Sequence, residues 1–358
     1  MALQCSFIPY TLNFKFDART SRGAISQHQV YYVNLSNDSD PAIVGVGECA
    51  PLAGLSIDAN PAIKHKLDEV CQTINAWKTD TIELQEAIQK LNLQEWPAIR
   101  FALETAWLDL QNGGKRTLYD NAFSNGEEGI PINGLVWMGD RTFMQEQITQ
   151  KLDQGYTCLK LKIGGLDFTS ELEILQQIRE TASEKELTIR VDANGAFTVQ
   201  EAFKKLERLA MYNIHSIEQP IKQGQWKEMA ALCAYTPVPI ALDEELIGIQ
   251  NPEEQIALLQ TIKPQYIILK PTLLGGLQAS AAWIKLAEEQ GIGWWMTSAL
   301  ESNIGLNAIS QFTANYKVKM PQGLGTGQLY HNNISSPLQI VQGELWYQKQ
   351  QEWGQLPL

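Results

Sequence analysis

The chain has 358 residues, 44% of them hydrophobic and 19% charged, with a formal net charge of −12. That length exceeds one small core and fits a large α/β barrel or two domains, while the acidic balance and the lack of a basic face argue against a nucleic-acid partner. The five cysteines (Cys5, Cys49, Cys71, Cys158, Cys233) stand singly with no CxxC pair, which excludes a zinc knuckle or a CxxC redox motif and fits reduced thiols in a cytoplasm. The N-terminus carries no leader-like apolar stretch and no run reaches the length of a membrane helix, so a cytoplasmic protein without a membrane partner is expected.

In chain order, "YTLNFKF" and "QVYYVNL" alternate and predict antiparallel strands, followed by helices near 60–77, 81–92 and 96–112. Residues 1–125 therefore read as an α+β domain. Between its first two strands, "FDARTSRG" (16–23) is a polar, glycine-ended insertion, readable as a mobile lid or as an exposed hairpin loop.

From residue 130 the chain keeps a beat. Short apolar strands are predicted at 131–137, 157–163, 187–193, 214–220, 238–244, 266–271 and 291–298, with a weaker candidate at 321–326. Helical patterns fill the intervals, among them 169–185 and 198–213, the latter opening on Thr198 with Glu201 three residues on, a capping-box pattern. Seven or eight βα units in succession predict a closed parallel barrel over 126–326 rather than a doubly wound sheet. Polar residues gather at the ends of many strands, whereas an open sheet would concentrate them at one switch point. The remaining segment, 327–358, is too long for a simple barrel ending and is expected to return to the N-terminal domain.

The strand ends carry the chemistry. The second strand, in "YTCLKLKIGG", ends in Lys160 and Lys162, which alternation places on one face. The third ends in Asp192 with Asn194, the fourth in Glu218, the fifth in Asp243 with Glu244, and the sixth in Lys270. In a parallel barrel these positions meet at one mouth. Three carboxylates on adjacent strands repel one another unless a cation lies among them, and Mg²⁺ suits such oxygen donors, with Mn²⁺ an alternative. Lysines on both sides of a metal site suit removal of a proton α to a substrate carboxylate. Lys160 beside Lys162, with partial burial, is expected to depress the Lys162 pKa toward that of a working base.

The segments "KLKIG", "RVDANGAF", "IEQP", "ALDEEL" and "ILKPTLLGG" occur in an order and spacing that resemble the enolase superfamily, specifically its muconate-lactonizing-enzyme-like branch. The resemblance spans essentially the whole chain. It implies a modified (β/α)7β TIM-type barrel with an N-terminal α+β capping domain completed by the C-terminal tail. By motif it implies Lys162 as general base and then acid, Asp192, Glu218 and Asp243 as Mg²⁺ ligands, and Lys270 as the lysine on the opposite face. Lys160, Asn194 and Glu244 are implied as tuning or ordering groups.

Within the branch, "GVGECAPLAGLS" (45–56), "TSALESNIGL" (297–306) and "GLGTGQLYHNN" (323–333) resemble the o-succinylbenzoate synthases of menaquinone biosynthesis. That resemblance implies a carbon–oxygen lyase acting on a small dianionic carboxylate. A dianion favours the lid reading of 16–23, with Arg19 or Arg22 reaching a second carboxylate. Leu55, Ser298 and Ser302 are further candidate substrate contacts, and Trp294 and Trp295 read as barrel packing. The rival readings are an N-succinylamino-acid racemase, a dipeptide epimerase, and a non-catalytic metal-binding barrel. Dipeptide epimerases of the branch carry an acidic DxD-type motif where this chain has "TSALESN". No oligomeric state is implied.

Overall fold

The computed structural model describes residues 2–20, 23–77 and 84–357. It opens with three long strands, β1 (Leu3–Thr20), β2 (Gly23–Asn37) and β3 (Asp40–Cys49), which form an antiparallel sheet in the order β1-β2-β3. Helices α1 (Ile63–Asn75), α2 (Leu84–Lys90) and α3 (Pro97–Gln111) follow. Alternation along β2 and β3 turns Tyr31, Val33, Leu35 and Cys49 toward Leu67, Val70, Ile99 and Ala102 of the helices, a core in its own right. The glycine of "GVGEC" serves this contact: a Cβ at Gly47 would lie 1.9 Å from the Ala102 carbonyl oxygen, so only glycine admits α3 so close to β3.

Residues 16–20 belong to β1, so the predicted insertion is largely strand. The β1–β2 register jumps between Asn13↔Gln27 and Ala18↔Ile25, leaving Phe14 to Asp17 opposite Ser26 as a wide bulge. The bulge is filled from the far end of the chain: Lys15 N donates to Leu329 O at 2.9 Å, and Phe14 bridges Tyr330.

The second unit begins with β4 (Ile130–Pro131) and β5 (Gly134–Val136). It then alternates as α4 (Arg141–Asp153), β6 (Cys158–Lys162), α5 (Phe168–Thr181), β7 (Thr188–Asp192), α6 (Val199–Ala210), β8 (Ser216–Glu218), α7 (Trp226–Tyr235), β9 (Ile240–Leu242), α8 (Pro252–Ile262) and β10 (Tyr266–Leu269). After β10 come α9 (Pro271–Leu274), α10 (Leu277–Glu289), β11 (Gly293–Met296), α11 (Asn303–Thr313) and a final hairpin, β12 (Leu338–Val341) with β13 (Glu344–Tyr347). Strands β5 to β11 form one parallel sheet in sequential order. Its outward residues Leu159, Leu161, Ile189, Val191, Ile217, Ile240, Leu242, Ile267 and Leu269 join the helices in the largest core.

Three details differ from the sequence reading. Residues 321–326 form no strand; the sheet curls shut through single parallel bridges, Ile132↔Gln322 and Thr297↔Gly323. The predicted strand 131–137 is split, because β4 leaves the barrel to pair with β13 of the tail hairpin. The tail thus runs along β1 at 329–334 and then docks on β4. Finally, the Thr198 side chain makes no hydrogen bond to the α6 backbone; its hydroxyl donates to Glu201 Oε2 at 2.8 Å, so the two capping-box side chains bind each other. Among the described residues no helix is long and apolar enough to cross a membrane.

Two buried carboxylates key the N-terminal unit to the barrel. Glu104 of α3 accepts from Leu277 N at 2.6 Å and Gln278 N at 3.0 Å, capping α10. Glu48 of β3 accepts from Ser302 N, Ser302 Oγ and Gly305 N at 2.6–2.8 Å, capping α11. Each negative group meets a helix end whose N–H groups lack intrahelical partners. Burial still pushes both carboxyls up to about 7. Gly276 completes the first cap, since at φ +109° a Cβ would stand 2.1 Å from Glu104 Oε2.

Candidate active site

Parallel register sets the polar cluster. Lys162, Asp192 and Glu218 occupy one row across β6, β7 and β8, which continues to Ala241 of β9. Asp243 lies two residues beyond Ala241, on the same face, and Lys270 immediately follows β10. All five residues of β6 are buried, so its alternation separates an apolar outer face from a charged inner one. The inner face is deeply enclosed: Lys160 is 5% exposed, Lys162 9% and Lys270 8%. Deeper in the barrel, Trp295 packs on Ala241 and Ile268, with the Arg190 guanidinium 4.0 Å from its ring. Neither Trp294 nor Trp295 lines the cavity described below.

Lys162 Nζ donates to Asp192 Oδ2 at 2.5 Å and to Asn194 Oδ1 at 3.1 Å. Lys160 Nζ lies 3.1 Å from Asp192 Oδ2 and also contacts Glu218 Oε2. Across the mouth, Lys270 contacts Asp243 Oδ2. Asn194, held at φ +45°, donates through Nδ2 to Glu244 Oε1 at 3.0 Å, linking the residue that orients Lys162 to the fifth strand's end.

These contacts divide the lysines. Burial drives the Lys162 ammonium below its ordinary value, and neighbouring Lys160 adds to that push against the pull of Asp192. Burial opposes the charge of Lys270 too, yet Asp243, Glu218 and Glu244 hold it above its ordinary value. Lys160 is likewise held up against burial by Glu218, Asp192 and Asp243. Among the carboxylates, Asp192 and Asp243 fall below the usual range despite burial, drawn down mainly by Lys162 and Lys270 respectively. Glu218 rises well above it through burial and the charge of Asp192.

Among the described residues no three acidic, histidine or cysteine side chains converge as an ion-holding group; ammonium groups lie between the carboxylates instead. The donor chemistry nonetheless fits a hard divalent cation. Three fully enclosed carboxylates stand on adjacent strand ends, and burial with mutual repulsion disfavours ionisation of the middle one, a cost that a cation among them removes.

Above the cluster lies a cavity of about 180 Å³. Lys160, Lys162 and Lys270 line its floor; Ile25, Leu52, Leu55, Leu135 and Trp137 give it apolar walls. Of the candidate substrate contacts, Leu55 and Ser298 line it, whereas Arg19 does not, though its neighbour Ala18 does. The Arg19 side chain is 61% exposed and 3.8 Å from Asp17, turned away from the cavity by strand alternation. Arg22 lies outside the described residues. Ser302 is also absent from the lining: it caps α11, and its hydroxyl is committed to Glu48. Ser298 Oγ donates to Glu301 Oε2 at 2.5 Å and accepts from Thr326 Oγ1 at 2.8 Å.

Three ordering groups escaped the sequence reading. Gln219, in "IEQP", accepts from Asp243 N at 3.2 Å and donates to Glu245 Oε2 at 3.0 Å, tying the fourth strand's end to the fifth. Glu171 accepts from the amides of Gly164, Gly165 and Leu166, pinning the turn after Lys162. Glu301 gathers Thr272, Ser298 and the Ala299 amide beneath the cavity wall. A polar residue inside a recurring motif was the available signal for Gln219 and Glu301; Glu171 looks like an ordinary residue of a helix's first turn.

A curled parallel barrel with lysines on both sides of a carboxylate row, roofed by an antiparallel unit, defines a class of enzyme. Residues 144–351 match the family model described as Enolase C-terminal domain-like, and the chain belongs to that family. It is 47% identical to the o-succinylbenzoate synthase of Desulfotalea psychrophila, over 96% of this chain and 98% of that protein. The crystal structure of MenC from Desulfotalea psychrophila matches with a TM-score of 0.87 at 45% identity, covering 97% of this chain and all of that one. The dipeptide epimerase of Enterococcus faecalis, complexed with Mg and L-Leu-L-Tyr, matches with a TM-score of 0.84 over 99% of this chain and 98% of that one. At 18% identity, that match is a likeness of fold.

Proposed function

We propose that the chain catalyses the syn-dehydration of 2-succinyl-6-hydroxy-2,4-cyclohexadiene-1-carboxylate to o-succinylbenzoate. The observation that carries this reading is the pair of differently poised lysines facing one cavity across three carboxylates, in a chain whose similarity to an o-succinylbenzoate synthase runs nearly end to end. In this reading Lys162, its proton affinity lowered, takes the proton from the carbon bearing the ring carboxylate. The ammonium so formed then gives that proton to the departing hydroxyl on the same face, the C–O bond breaks, and water leaves as the ring becomes aromatic. Lys270 stays cationic and supports the developing enediolate from the other side. Asp192, Glu218 and Asp243 would hold Mg²⁺, which when bound supplies Lewis-acid stabilisation of that negative charge. Asn194 orients the Lys162 amine, and the apolar walls exclude water from the reacting face.

We take residues 1–125 as cap, 126–326 as barrel and 327–358 as a returning tail, a division supported by a cavity lined by residues of both the first and the second segment. We place the enzyme in the cytoplasm, acting on a small dianion without nucleic-acid or membrane partners, in keeping with its acidic charge and lack of a membrane-spanning pattern. Racemisation requires both lysines to exchange protons, and the ion pairing of Lys270 works against that. The deciding experiment follows o-succinylbenzoate formation by the purified, Mg²⁺-loaded enzyme, with N-succinyl amino acids in D₂O as the competing assay. Product formation with slower or absent α-exchange supports the dehydratase; exchange without dehydration overturns it.

A further inference from the structure

Away from the cavity, β1 crosses α1, and there the sulfurs of Cys5 and Cys71 lie 3.2 Å apart. Both residues are buried among Leu3, Val33, Leu67 and Ile74. The contact is anchored by backbone: Cys5 N donates to Asn75 Oδ1 at 2.6 Å, and Asn75 Nδ2 donates back to Cys5 O at 3.0 Å. Asn75 stands one helical turn beyond Cys71 on the same face of α1, so this clamp sets the register that brings the sulfurs together. The thiols are also chemically unequal. The hydrogen bond with Cys5 pulls the Cys71 thiol below its ordinary range, while that bond and burial push Cys5 well above it.

We propose that Cys5 and Cys71 form a reversible oxidation site, a dithiol that closes to a disulfide when a peroxide reaches Cys71. The Cys71 thiolate attacks one peroxide oxygen, the O–O bond breaks, and a sulfenic acid forms as the released hydroxide takes up the proton that Cys71 gave off on ionising, making the first water. The Cys5 sulfur then attacks the Cys71 sulfur, the S–O bond breaks, and the hydroxyl leaves with the Cys5 proton as water. Two electrons pass from the two thiols to one peroxide, which becomes two waters. Bonded sulfurs sit about 2 Å apart, so closure needs roughly 1 Å of approach. The bridge staples the strand that reaches the cavity at Ala18 to the helix that follows the cavity loop at Leu52–Leu55.

The test treats the intact, folded protein with hydrogen peroxide, unfolds it under thiol-blocking conditions, and counts thiols. The expected result is a fall from the five free cysteines to three, a Cys5–Cys71 peptide in the non-reduced digest, reversal by dithiothreitol, and a higher thermal midpoint for the oxidised form. In Cys5→Ser, Cys71 should be trapped as a sulfenic acid by dimedone; in Cys71→Ser, Cys5 should resist peroxide. Retention of all five thiols, a bridge between other cysteines, or a faster reaction at Cys5 than at Cys71 overturns the proposal.

Discussion

The two flanks of the carboxylate row use the same residue type and reach opposite ends. On the β10 side Lys270 stands alone against Asp243, with Glu218 and Glu244 within electrostatic reach, and it is held charged. On the β6 side two lysines draw on a shared supply. Lys160 takes Glu218 and shares Asp192 Oδ2 with Lys162, leaving Lys162 that shared oxygen, a neutral amide and an adjacent ammonium. Burial is nearly equal at the two sites, 9% and 8% exposure, so it cannot be what separates them. The share of carboxylate contact sets the two amines' proton affinities apart.

Removing each flank in turn should expose this difference. Lys162→Ala is expected to lower kcat for dehydration by roughly 10³-fold, the range of a lost general acid–base, with circular dichroism and thermal midpoint near wild type. Wild-type turnover in that variant would end the assignment. Lys270→Met should cost less, about 10²-fold, because it removes electrostatic support rather than the proton carrier. In D₂O it should retain Lys162-dependent exchange of the substrate α-proton, whereas Lys162→Ala should not. Equal loss of exchange in both variants would erase the contrast.

Lys160→Met tests the tuning. With Lys162 as the proposed base, activity requires its neutral form, so kcat/KM should rise with pH through the Lys162 titration; with the neighbouring positive charge gone, that acidic limb should move to higher pH by up to about one unit. An unmoved or downward-shifted limb would show that Lys160 serves only the carboxylates. The smallest effects are expected at the two serines. Ser298→Ala should raise KM several-fold by releasing the Glu301 and Thr326 contacts that hold this cavity wall, and cost about 1 kcal/mol of stability because buried Glu301 loses a donor. Ser302→Ala should lower stability by about 1 kcal/mol through the lost α11 cap and leave KM unchanged; denaturant unfolding reads both costs, and steady-state kinetics separate the two.

Much of this architecture was legible because it is periodic. Strand spacing located β5 to β11, and residue type at the strand ends picked out the lysines and carboxylates that the structure gathers at one mouth. What escaped was non-local. Residues 321–326 close the barrel through single bridges, which leave no alternating pattern, and β4 pairs with a hairpin more than two hundred residues away in the chain. The strand character of 16–20 was hidden by polar residues, which an edge at a bulge tolerates. Ser298 and Ser302 are alike in local sequence, four residues apart; Ser302 caps α11 and gives its hydroxyl to Glu48, arriving from β3, while Ser298 stands at the cavity. Cys5 and Cys71 looked solitary for the same reason, since sequence spacing does not reveal which strand crosses which helix.

The Glu48 and Glu104 caps carry a further consequence for exchange of parts between relatives. Two buried carboxylates on one unit, each gripping a different helix of the other, define an orientation much as two pins define the seating of a lid. A chimera that joins this N-terminal unit to another barrel would inherit the cavity's wall residues but not their placement, unless the recipient presents free amides at the starts of both helices. Conversely, residues 51–55 and 23–25, which lie beyond the pins, are the segments whose exchange would alter the cavity while leaving the joint intact.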